Sequence, residues 1–518
     1  MSDTGLRPAP LQTALPDPVD AANVVYDPPL DRLREFSRHL ETTTEFGSPS
    51  YVSEQRSRCA DRTRNAVDHE FDASDHAHVE SALEYAREKE MVCLDREVGR
   101  HPEHSYVCRY YVPREYGRIA LGVAKLFEPA PEGADPDFLT VQVPDWEEIA
   151  IRVLPETGLT VVLGSDYTGE AKKSFLRLYM HRVKEAGGLG LHAGSKRVTL
   201  RRARDGADAA DGEDGETAAD LEEVGQVFLG LSATGKSTLT AHGLRLEPPE
   251  CAEMLQDDVC ALLPDGTVAG SEGEGLYVKT HGLDRAEQPS MYDAVTHESA
   301  VLENVAVDDD GRVDFASDVH TSNGRAIVLR EHLPSASDDV DLERVDQLFF
   351  ITRNPTMPPV ARLDPEEAAA AFMLGESIQT SAGDPSKAGE SIRVVGTNPF
   401  IVGSEGDEGN RFRDLIADLE VDCFVLNTGH LGDEAVDIGV EDTVTILREL
   451  ARGTVEWGDD EATGLTVPTS VPGLDVSRFS VVDHVADYER RLRELREERR
   501  AYLDGFADLD DEIVDAVY

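Results

Sequence analysis

A phosphate-binding loop is the strongest chemical signal in the sequence. Residues 230–237 read Gly-Leu-Ser-Ala-Thr-Gly-Lys-Ser, which matches the pattern G-x-x-x-x-G-K-[ST]. Glycines at this spacing let successive backbone N–H groups point into one concavity at the start of a helix, where anions bind. Lys236 adds a cation for the β- and γ-phosphates, and the Ser237 hydroxyl can bind Mg²⁺. The predicted nucleotide-binding residues are Gly230, Leu231, Ser232, Ala233, Thr234, Gly235, Lys236, Ser237 and Thr238.

An acidic metal partner is expected beside such a loop. Asp257 and Asp258 follow the loop by about twenty residues, directly after an apolar stretch that is typical of a strand. Two carboxylates at a strand end can hold Mg²⁺ directly or through water. The alternative is a solvated acidic surface, because Asp pairs are common in this chain.

Two adjacent lysines form the third candidate cluster. The chain has nine lysines and 41 arginines, so Lys172 and Lys173, which follow Tyr167, stand out. A neutral amine can ligate a metal and a guanidinium cannot, which is one reason to keep lysine at this place. A neighbouring cation and the metal would depress the pKa of such a lysine. The alternative of two surface lysines at a helix start is equally compatible with these residues alone.

The composition restricts the setting and the partners. Fifty Lys and Arg against 102 Asp and Glu give a formal net charge of −52. At molar salt the Debye length is about 3 Å, so a dense carboxylate surface repels itself little. We interpret the chain as a halophile's protein, with an ordinary acidic protein as the alternative. The charge argues against nucleic acid and anionic membranes as partners, and six scattered cysteines argue against a disulfide scaffold.

The alternation of strand-like and helical stretches predicts an α/β or mixed-sheet fold, and the length of 518 residues suggests two or three domains. We expect residues 1–188 to form the first domain, of which residues 1–30 are an extended arm. Residues 189–518 would form a second, P-loop domain containing an acidic surface loop at 203–223. No basic and apolar leader and no apolar run of about 18 residues is present, so a cytoplasmic protein is expected.

The three clusters together, in this order, resemble those of the ATP-dependent phosphoenolpyruvate carboxykinases. That family has a Y-x-G-E-x-K-K segment, a downstream histidine, a G-L-S-x-T-G-K-[ST] loop and an Asp-Asp pair. Further stretches are similar to family motifs, and they are E-G-E-G-L-Y-V-K (272–279), L-E-N-V (302–305), N-G-R (323–325), M-P-P-V-A-R-L (357–363), Asn427-Thr428-Gly429 and Asp442-Thr443. The similarity extends from about residue 90 to about residue 470, and it implies a two-domain fold with the active site in a cleft.

The resemblance also implies roles for individual residues. The implied ligands are Lys173, His192 and Asp258 for Mn²⁺, and Ser237 with the nucleotide phosphates for Mg²⁺. The implied phosphoryl- and substrate-binding residues are Lys236 and Lys279 for the transferred phosphoryl group, Tyr167 and Arg325 for oxaloacetate, Lys172 for tuning the site and Thr443 near adenine. The implied reaction converts oxaloacetate and ATP to phosphoenolpyruvate, ADP and CO₂, a gluconeogenic step, in a protein expected to be a monomer.

Several positions depart from the family pattern. The family's early arginine lies in T-G-R-S-P-x-D-K, and here the nearest candidate is Arg56, with Arg58 as its rival. Asp437 stands where the adenine-side stretch R-I-x-x-x-D-T has an arginine, and Glu274 replaces the second glycine of E-G-G. The weak arginine motif keeps open a kinase with another phosphoryl acceptor, and a non-catalytic ATP-binding regulator is a third interpretation.

Overall fold

The computed structural model describes residues 14–57, 59–203, 221–231, 234–378, 391–432 and 436–518. The strands of these residues, in chain order, are β1 Val24–Tyr26, β2 Thr42–Thr43, β3 Pro49–Tyr51, β4 Thr63–Asn65, β5 Met91–Val98, β6 Tyr106–Pro113, β7 Glu128–Pro129, β8 Phe138–Val143, β9 Ala150–Leu154, β10 Leu159–Leu163, β11 Leu189–Leu191, β12 Ala193–Leu200, β13 Glu222–Gly230, β14 Cys251–Gln256, β15 Cys260–Leu262, β16 Val268–Gly270, β17 Gly275–Lys279, β18 Val301–Glu303, β19 Ala306–Val307, β20 Val313–Asp314, β21 Arg325–Leu329, β22 Gln347–Thr352, β23 Val360–Leu363, β24 Glu376–Ile378, β25 Ser391–Arg393, β26 Asp422–Asn427, β27 His430–Leu431, β28 Val436–Asp437, β29 Glu456–Asp460 and β30 Leu465–Ser470. The helices are α1 Leu30–Phe36, α2 Ala73–Glu88, α3 Gly117–Leu126, α4 Thr168–Glu185, α5 Lys236–Ala241, α6 Pro289–Val295, α7 Pro365–Leu374, α8 Glu405–Asp418, α9 Val440–Arg452, α10 Val481–His484, α11 Tyr488–Leu503 and α12 Asp511–Asp515. The predicted mixed α/β class is confirmed.

The chain divides into two compact units. Unit 1 contains the described residues up to Arg182 together with Ser271–Pro334, and unit 2 contains Val183–Gly270 and Ser335–Tyr518. The sequence-based division at residues 188 and 189 treats both domains as continuous segments. The structure instead returns Ser271–Pro334 to unit 1, because β18 of that segment pairs with β3 near the start of the chain.

Unit 1 contains two larger sheets. The first has eight strands in the order β1-β5-β6-β8-β10-β9-β4, with β7 paired to β5. Its core is formed by alternate strand residues together with apolar side chains of α2, such as Val79 and Ala82. The second sheet has the order β17-β21-β18-β3-β2, and it carries residues of the predicted substrate site at the ends of β17 and β21.

Unit 2 is built on an eight-stranded sheet in the order β14-β12-β13-β22-β26-β23-β30-β29. The three central strands β13, β22 and β26 are parallel. Alternate residues of these strands enter different cores: Leu348 packs with Phe372 and Phe412 of α7 and α8, whereas Phe349 packs with Ile446 of α9. Helices therefore cover both faces, and the carboxyl ends of the parallel strands meet at one edge, where ligands bind in open α/β sheets.

Several sequence-based elements can be compared with the described residues. Lys172 and Lys173, for which a helix start was one interpretation, lie near the beginning of α4, Thr168–Glu185. Of the predicted acidic loop, residues 204–220 lie outside the described residues, and Glu222 and Glu223 already belong to β13. Of the predicted arm, residues 1–13 also lie outside them, whereas Val24–Tyr26 forms β1 in a sheet. Among the described residues, no helix is both long and apolar enough to span a membrane.

Candidate active site

The phosphate-binding loop joins β13 to α5 in unit 2. Strand β13 ends at Gly230, and α5 begins at Lys236 directly after Gly235, whose φ of 103° lies in the region that favours glycine. A Cβ at Gly230 would lie 2.6 Å from Thr234 Oγ1, so this position also requires glycine. Ser232 and Ala233 lie outside the described residues. The predicted order of strand, loop and helix is confirmed for the described part.

The end of β26, which lies two strands from β13 in the sheet, supports this loop. The Thr428 hydroxyl donates to the Thr234 carbonyl at 2.7 Å, and the Thr428 N–H donates to the Thr352 carbonyl at 3.0 Å. Asn427 is fully buried, and its amide donates to the carbonyls of Asn354 and Met357. The Asn427-Thr428-Gly429 segment therefore ties the carboxyl ends of β22 and β26 to the loop.

Two buried polar atoms beside the loop have no hydrogen-bond partner among the described residues. These atoms are Lys236 Nζ and Asp257 Oδ1. The other carboxylate oxygen of Asp257 accepts from the Ser237 hydroxyl at 3.1 Å, and Lys236 Nζ lies 3.8 Å from Asp258 Oδ1. Because buried polar groups are normally hydrogen-bonded, this arrangement suits a site whose partners arrive with a ligand.

His192 and Asp258 face each other in the same unit. His192 Nε2 lies 3.0 Å from Asp258 Oδ1, and His192 Nδ1 lies 2.6 Å from the Thr397 carbonyl oxygen. A carbonyl can only accept, so Nδ1 must carry the donated proton. Burial, and then the Lys236 ammonium, lower the pKa of His192, which favours the neutral ring. In the neutral ring, Nε2 presents a lone pair to a carboxylate, and a cation between the two atoms would relieve that contact.

These donors fit a divalent cation. Imidazole nitrogen with carboxylate oxygen suits Mn²⁺, and a hydroxyl with a carboxylate suits Mg²⁺. Among the described residues, no three His, Cys, Asp or Glu side chains come together in a metal-binding arrangement. The predicted third Mn²⁺ ligand is the amine of Lys173, which belongs to unit 1. We call His192, Lys236, Ser237, Asp257 and Asp258 the unit 2 cluster.

Two of the predicted site lysines, Lys172 and Lys173, lie near the start of α4 in unit 1. Lys172 is buried and pairs with Glu272, with 3.0 Å between Nζ and Oε2. Lys173 is less buried, and its Nζ lies 3.9 Å from Glu170 Oε1 and 5.2 Å from the centre of the Tyr167 ring. The two adjacent lysines therefore differ in environment, since the Lys172 side chain is 3% exposed and that of Lys173 is 18% exposed.

A buried glutamate joins α3, α4 and β17. Glu303 is 3% exposed, and its Oε1 accepts from the N–H and the hydroxyl of Thr168 at 3.1 and 3.0 Å. It also accepts from Arg118 at 3.2 Å and from the Tyr277 hydroxyl. Burial and the Glu303 carboxylate raise the pKa of Tyr277 well above its usual value. Glu303 thus fixes both the first turn of α4 and the strand that carries Lys279.

Lys279 and Arg325 are direct neighbours on paired strands. They face each other in the β17–β21 register, and burial and the Arg325 charge lower the pKa of Lys279. The Asn323 side chain accepts from Arg325 at 2.8 Å and donates to the Tyr167 hydroxyl at 3.3 Å and to the Arg56 carbonyl at 3.0 Å. Asn323 therefore brings three sequence-predicted residues together. We call Arg56, Tyr167, Lys172, Lys173, Glu272, Tyr277, Lys279, Glu303, Asn323 and Arg325 the unit 1 cluster.

Comparison with known proteins identifies the family of this chain. The family model for phosphoenolpyruvate carboxykinase matches residues 51–477. The chain belongs to the phosphoenolpyruvate carboxykinase family. The ATP-type phosphoenolpyruvate carboxykinase of Aeropyrum pernix is 35% identical over 491 residues, covering 94% of this chain and 95% of the relative. Enzymes of the same description from Parvibaculum lavamentivorans and Salinibacter ruber are 27% and 28% identical, covering 82% and 84% of this chain and 78% and 79% of the relatives.

Membership of the carboxykinase family leaves the uncertain sequence positions to be judged on geometry. Arg56 lies in the unit 1 cluster, and its guanidinium donates to the His320 carbonyl at 2.6 Å, whereas Arg58 lies outside the described residues. Thr443 is 1% exposed in α9, and its hydroxyl donates to the Gly439 carbonyl at 3.1 Å. Its contact with adenine stays a prediction. Asp437 is exposed at the end of β28.

Sequence reasoning missed several residues of the candidate site. Glu272, Glu303 and Asn323 lie inside stretches that resembled family motifs, so the signal was present, but their ion pairs and hydrogen bonds are visible only in the structure. Arg353 was missed entirely. It follows β22 at the carboxyl edge of the sheet, its Cβ lies 3.3 Å from the position that a Cβ on Gly429 would take, and its buried Nε has no hydrogen-bond partner among the described residues. Burial lowers the pKa of Arg353.

Proposed function

We propose that this chain catalyses the ATP-dependent conversion of oxaloacetate to phosphoenolpyruvate, ADP and CO₂. The observation that carries the proposal is the unit 2 cluster, in which the P-loop ammonium of Lys236 lacks a hydrogen-bond partner among the described residues and lies beside the His192–Asp258 pair. The family of the chain and the names of its relatives support the same activity. A phosphate-binding cation next to a metal-ligand pair is what phosphoryl transfer requires.

Two divalent cations are part of the proposal. His192 and Asp258 would ligate Mn²⁺, with Lys173 as a third ligand proposed on the sequence alone. Ser237 would bind Mg²⁺ together with the nucleotide phosphates, and the nearby Asp257 supports a cation there. When bound, these cations supply Lewis acidity for the enolate and neutralise phosphate charge.

The unit 1 cluster would bind and orient oxaloacetate. Arg325 and Arg56 offer guanidinium groups for carboxylates, and Tyr167 offers a hydroxyl that Asn323 already holds in place. Lys172 is neutralised by Glu272, so it would set the local field and not bind the substrate directly. Lys279, whose pKa is lowered by burial and by Arg325, would place a cation on the transferred phosphoryl group.

The proposed reaction needs no covalent enzyme intermediate. The bond between the C4 carboxylate and C3 of oxaloacetate breaks, CO₂ leaves, and an enolate remains. The enolate oxygen then attacks the γ-phosphorus of ATP, and the bond from that phosphorus to the ADP oxygen breaks. Lys236 and the backbone N–H groups of the loop would hold the β- and γ-phosphates during this displacement, because positioning and positive charge supply most of the catalysis.

A coupled assay tests the proposal. Phosphoenolpyruvate formed from oxaloacetate and ATP should be detected in about 2 M KCl with added Mn²⁺, since high salt screens the acidic surface. ATP consumption without phosphoenolpyruvate would favour a kinase with another acceptor. ATP binding without consumption would favour a regulator, and both outcomes would overturn the proposal.

The metal assignment has its own test. His192→Ala should lower turnover by about a thousandfold, which is the scale expected when a metal Lewis acid is lost. Binding of ADP should change less than about threefold, because His192 does not belong to the loop. A variant with normal turnover at saturating Mn²⁺ would exclude His192 as a ligand.

The setting of the protein is proposed from its charge. A net charge of −52 supports a monomer in the salt-rich cytoplasm of a halophile, acting without nucleic acid or membrane partners. Sedimentation at about 2 M and about 0.1 M KCl should give a folded monomer only at the higher salt, where the Debye length falls from about 10 Å toward 3 Å. A folded protein at both concentrations would count against a halophilic adaptation.

A further inference from the structure

A buried lysine lies beneath the helix that follows the phosphate-binding loop. Lys196 of β12 is 0% exposed, although the chain contains only nine lysines. Its Nζ donates to the Leu239 carbonyl at 2.5 Å and to the His242 carbonyl at 2.6 Å. It also lies 5.6 Å from the centre of the Phe228 ring on the adjacent strand β13. All three contacts link β12 to the loop strand or to the end of α5.

Helix α5 needs such a contact. It has six residues, Lys236–Ala241, and the last carbonyls of a helix have no partner within the helix. A cation near these carbonyls satisfies them and interacts favourably with the helix dipole. Lys196 supplies this cap from the neighbouring strand, through two hydrogen bonds from one ammonium group.

The same strand touches the helix at a second point. A Cβ at Gly194 would lie 2.4 Å from Thr240 Oγ1, so β12 and α5 are in direct contact there. The Thr240 hydroxyl in turn donates to the Lys236 carbonyl at 2.8 Å. Strand β12 therefore contacts the last turn of α5 at two points, and the Thr240 hydrogen bond connects that turn to Lys236 at the start of the helix.

The contact between β12 and α5 also connects the phosphate-binding helix to the proposed metal ligand His192. The strand begins at Ala193, directly after His192, so one rigid element follows the proposed metal ligand and supports the phosphate-binding helix. Lys196 itself is 0% exposed, and among the described residues its Nζ donates to two carbonyl oxygens, so it acts on the loop through the helix and not by touching a substrate.

We propose that Lys196 is a positioning residue, which sets Lys236 and Ser237 at a fixed distance from His192 by anchoring α5 to β12. The catalytic part of this inference rests on the proposed function, whereas its effect on nucleotide binding requires only the P-loop. A small displacement of a phosphate-binding group costs affinity and rate together, because the cation no longer meets the phosphate oxygens.

The test compares two buried lysines replaced by the same residue. Lys196→Met removes the donor and keeps the volume, and Lys125→Met does the same in unit 1, where Lys125 is 9% exposed. Equilibrium dialysis with ADP should show about tenfold weaker binding for Lys196→Met and less than about a twofold change for Lys125→Met. Lys196→Arg, which keeps N–H donors, should restore ADP affinity to within about threefold of the wild type.

The KM values for the two substrates distinguish a displaced phosphate-binding helix from a general loss of stability. In Lys196→Met the KM for ATP should rise about tenfold, while the KM for oxaloacetate should change less than about twofold. Unchanged ADP affinity in Lys196→Met, or equal losses for ATP and oxaloacetate, would overturn the proposal. If the wild type made no phosphoenolpyruvate, the proposed function would fail, and ADP binding would still decide the role of Lys196.

A second variant covers the case in which Lys196→Met does not fold. Gly194→Ala pushes on α5 from the same strand without changing Lys196. It should also weaken ADP binding, by about three- to tenfold, because the helix must move away from the added methyl group. Normal ADP affinity in Gly194→Ala would show that the β12–α5 contact does not set the loop, and it would overturn the proposal.

Discussion

The two site clusters solve the problem of buried charge in different ways. In unit 1, Lys172 pairs with Glu272, and Glu303 accepts from Thr168, Arg118 and Tyr277, so these buried charges have protein partners. In unit 2, Lys236 Nζ and Asp257 Oδ1 are buried without hydrogen-bond partners among the described residues. These unit 1 charges thus have close protein partners, whereas Lys236 Nζ lies 3.8 Å from the Asp258 carboxylate and has no hydrogen bond to a described residue, so phosphates would be closer partners for it.

This difference has an energetic meaning. A buried charge without a partner lowers the stability of the free protein, and its desolvation cost is recovered only when an opposite charge binds. A buried pair adds little net stability, but removing one member is costly, because the other charge is then left uncompensated in a low dielectric. Substitutions in the unit 2 cluster should therefore lower activity more than stability. Substitutions of paired charges in the unit 1 cluster should lower the free energy of unfolding.

The largest effect is expected for Lys236→Met in the unit 2 cluster. Turnover should fall by about a thousandfold or more, because the cation on the β- and γ-phosphates is lost. The free energy of unfolding without ligands should fall by less than about 1 kcal/mol, since the ammonium has no hydrogen bond to a described residue and lies 3.8 Å from the Asp258 carboxylate. Thermal unfolding and the coupled assay measure both quantities.

The matched control is Lys184→Met, also in unit 2. Lys184 pairs with the buried Glu408 at 2.6 Å, so this variant should lose stability and keep ADP affinity. Equal stability losses in Lys236→Met and Lys184→Met would contradict the distinction between the close Lys184–Glu408 pair at 2.6 Å and the longer Lys236–Asp258 contact at 3.8 Å.

The second effect is on stability and belongs to the unit 1 cluster. Glu303→Gln should lower the free energy of unfolding by about 3 kcal/mol, because the buried carboxylate accepts hydrogen bonds from Thr168, Arg118 and Tyr277, and an amide replaces one acceptor oxygen with a donor. Glu331→Gln, whose side chain is 71% exposed in the same unit, should change it by less than about 0.5 kcal/mol. Similar stability in Glu303→Gln and Glu331→Gln would mean that the Glu303 carboxylate does not stabilise the unit 1 cluster.

The third prediction concerns pH and Lys196. Burial lowers the pKa of Lys196 from 10.5 to about 7 in the folded protein. Between these values the unfolded chain binds more protons, so this group makes the free energy of unfolding rise from pH 7 toward pH 10.5, by about 1.4 kcal/mol for each pH unit. Below pH 7 both states are protonated, and the full cost of burying the charge is present.

Lys196→Met should remove this part of the pH dependence. Denaturant titrations from about pH 7 to about pH 10 should show a flatter profile in the variant than in the wild type, while Lys89→Met, at an exposed lysine, should keep the wild-type slope. Parallel profiles for the wild type and Lys196→Met would show that the buried amine does not change its protonation on folding.

A smaller effect is expected for Arg353→Met at the carboxyl edge of the unit 2 sheet. The Nε of this half-buried guanidinium has no hydrogen-bond partner among the described residues, so a nucleotide phosphate should stabilise the group, and its loss should weaken ADP binding about fivefold. Arg362→Met is the control, because the Arg362 guanidinium already lies over the Trp457 ring, at 4.9 Å from its centre. Unchanged ADP affinity in Arg353→Met would remove Arg353 from the nucleotide site.

The smallest effect is expected at Asp437. This carboxylate stands where the family stretch has an arginine, and it is exposed in β28, where salt screens its charge. Asp437→Arg should raise the preference for ATP over GTP by about threefold, through a cation near the base. The ratio of kcat/KM for the two nucleotides measures it, and equal ratios in both proteins would place residue 437 outside the base pocket.

The fold class, the family and most candidate site residues could be predicted from the amino-acid sequence alone. The P-loop, the lysines in a lysine-poor chain and the order of the motifs predicted the fold class, the family and the main candidate residues, because phosphate and metal chemistry restricts both residue type and spacing. Helix α7 was also readable, since Asp364, Pro365 and Glu367 form a capping box with proline in the first turn and Gly375 ends the helix.

The contacts that support these residues could not be predicted from the sequence, because they depend on tertiary packing. The return of Ser271–Pro334 to unit 1 depends on the pairing of β18 with β3, a contact between segments far apart in sequence. The partners of Glu303, the cap that Lys196 places on α5 and the lack of a hydrogen-bond partner for Lys236 among the described residues also depend on burial and on long-range packing. Local sequence carries the chemistry of a side chain, but the environment that sets its charge and position is formed by segments that local patterns do not connect.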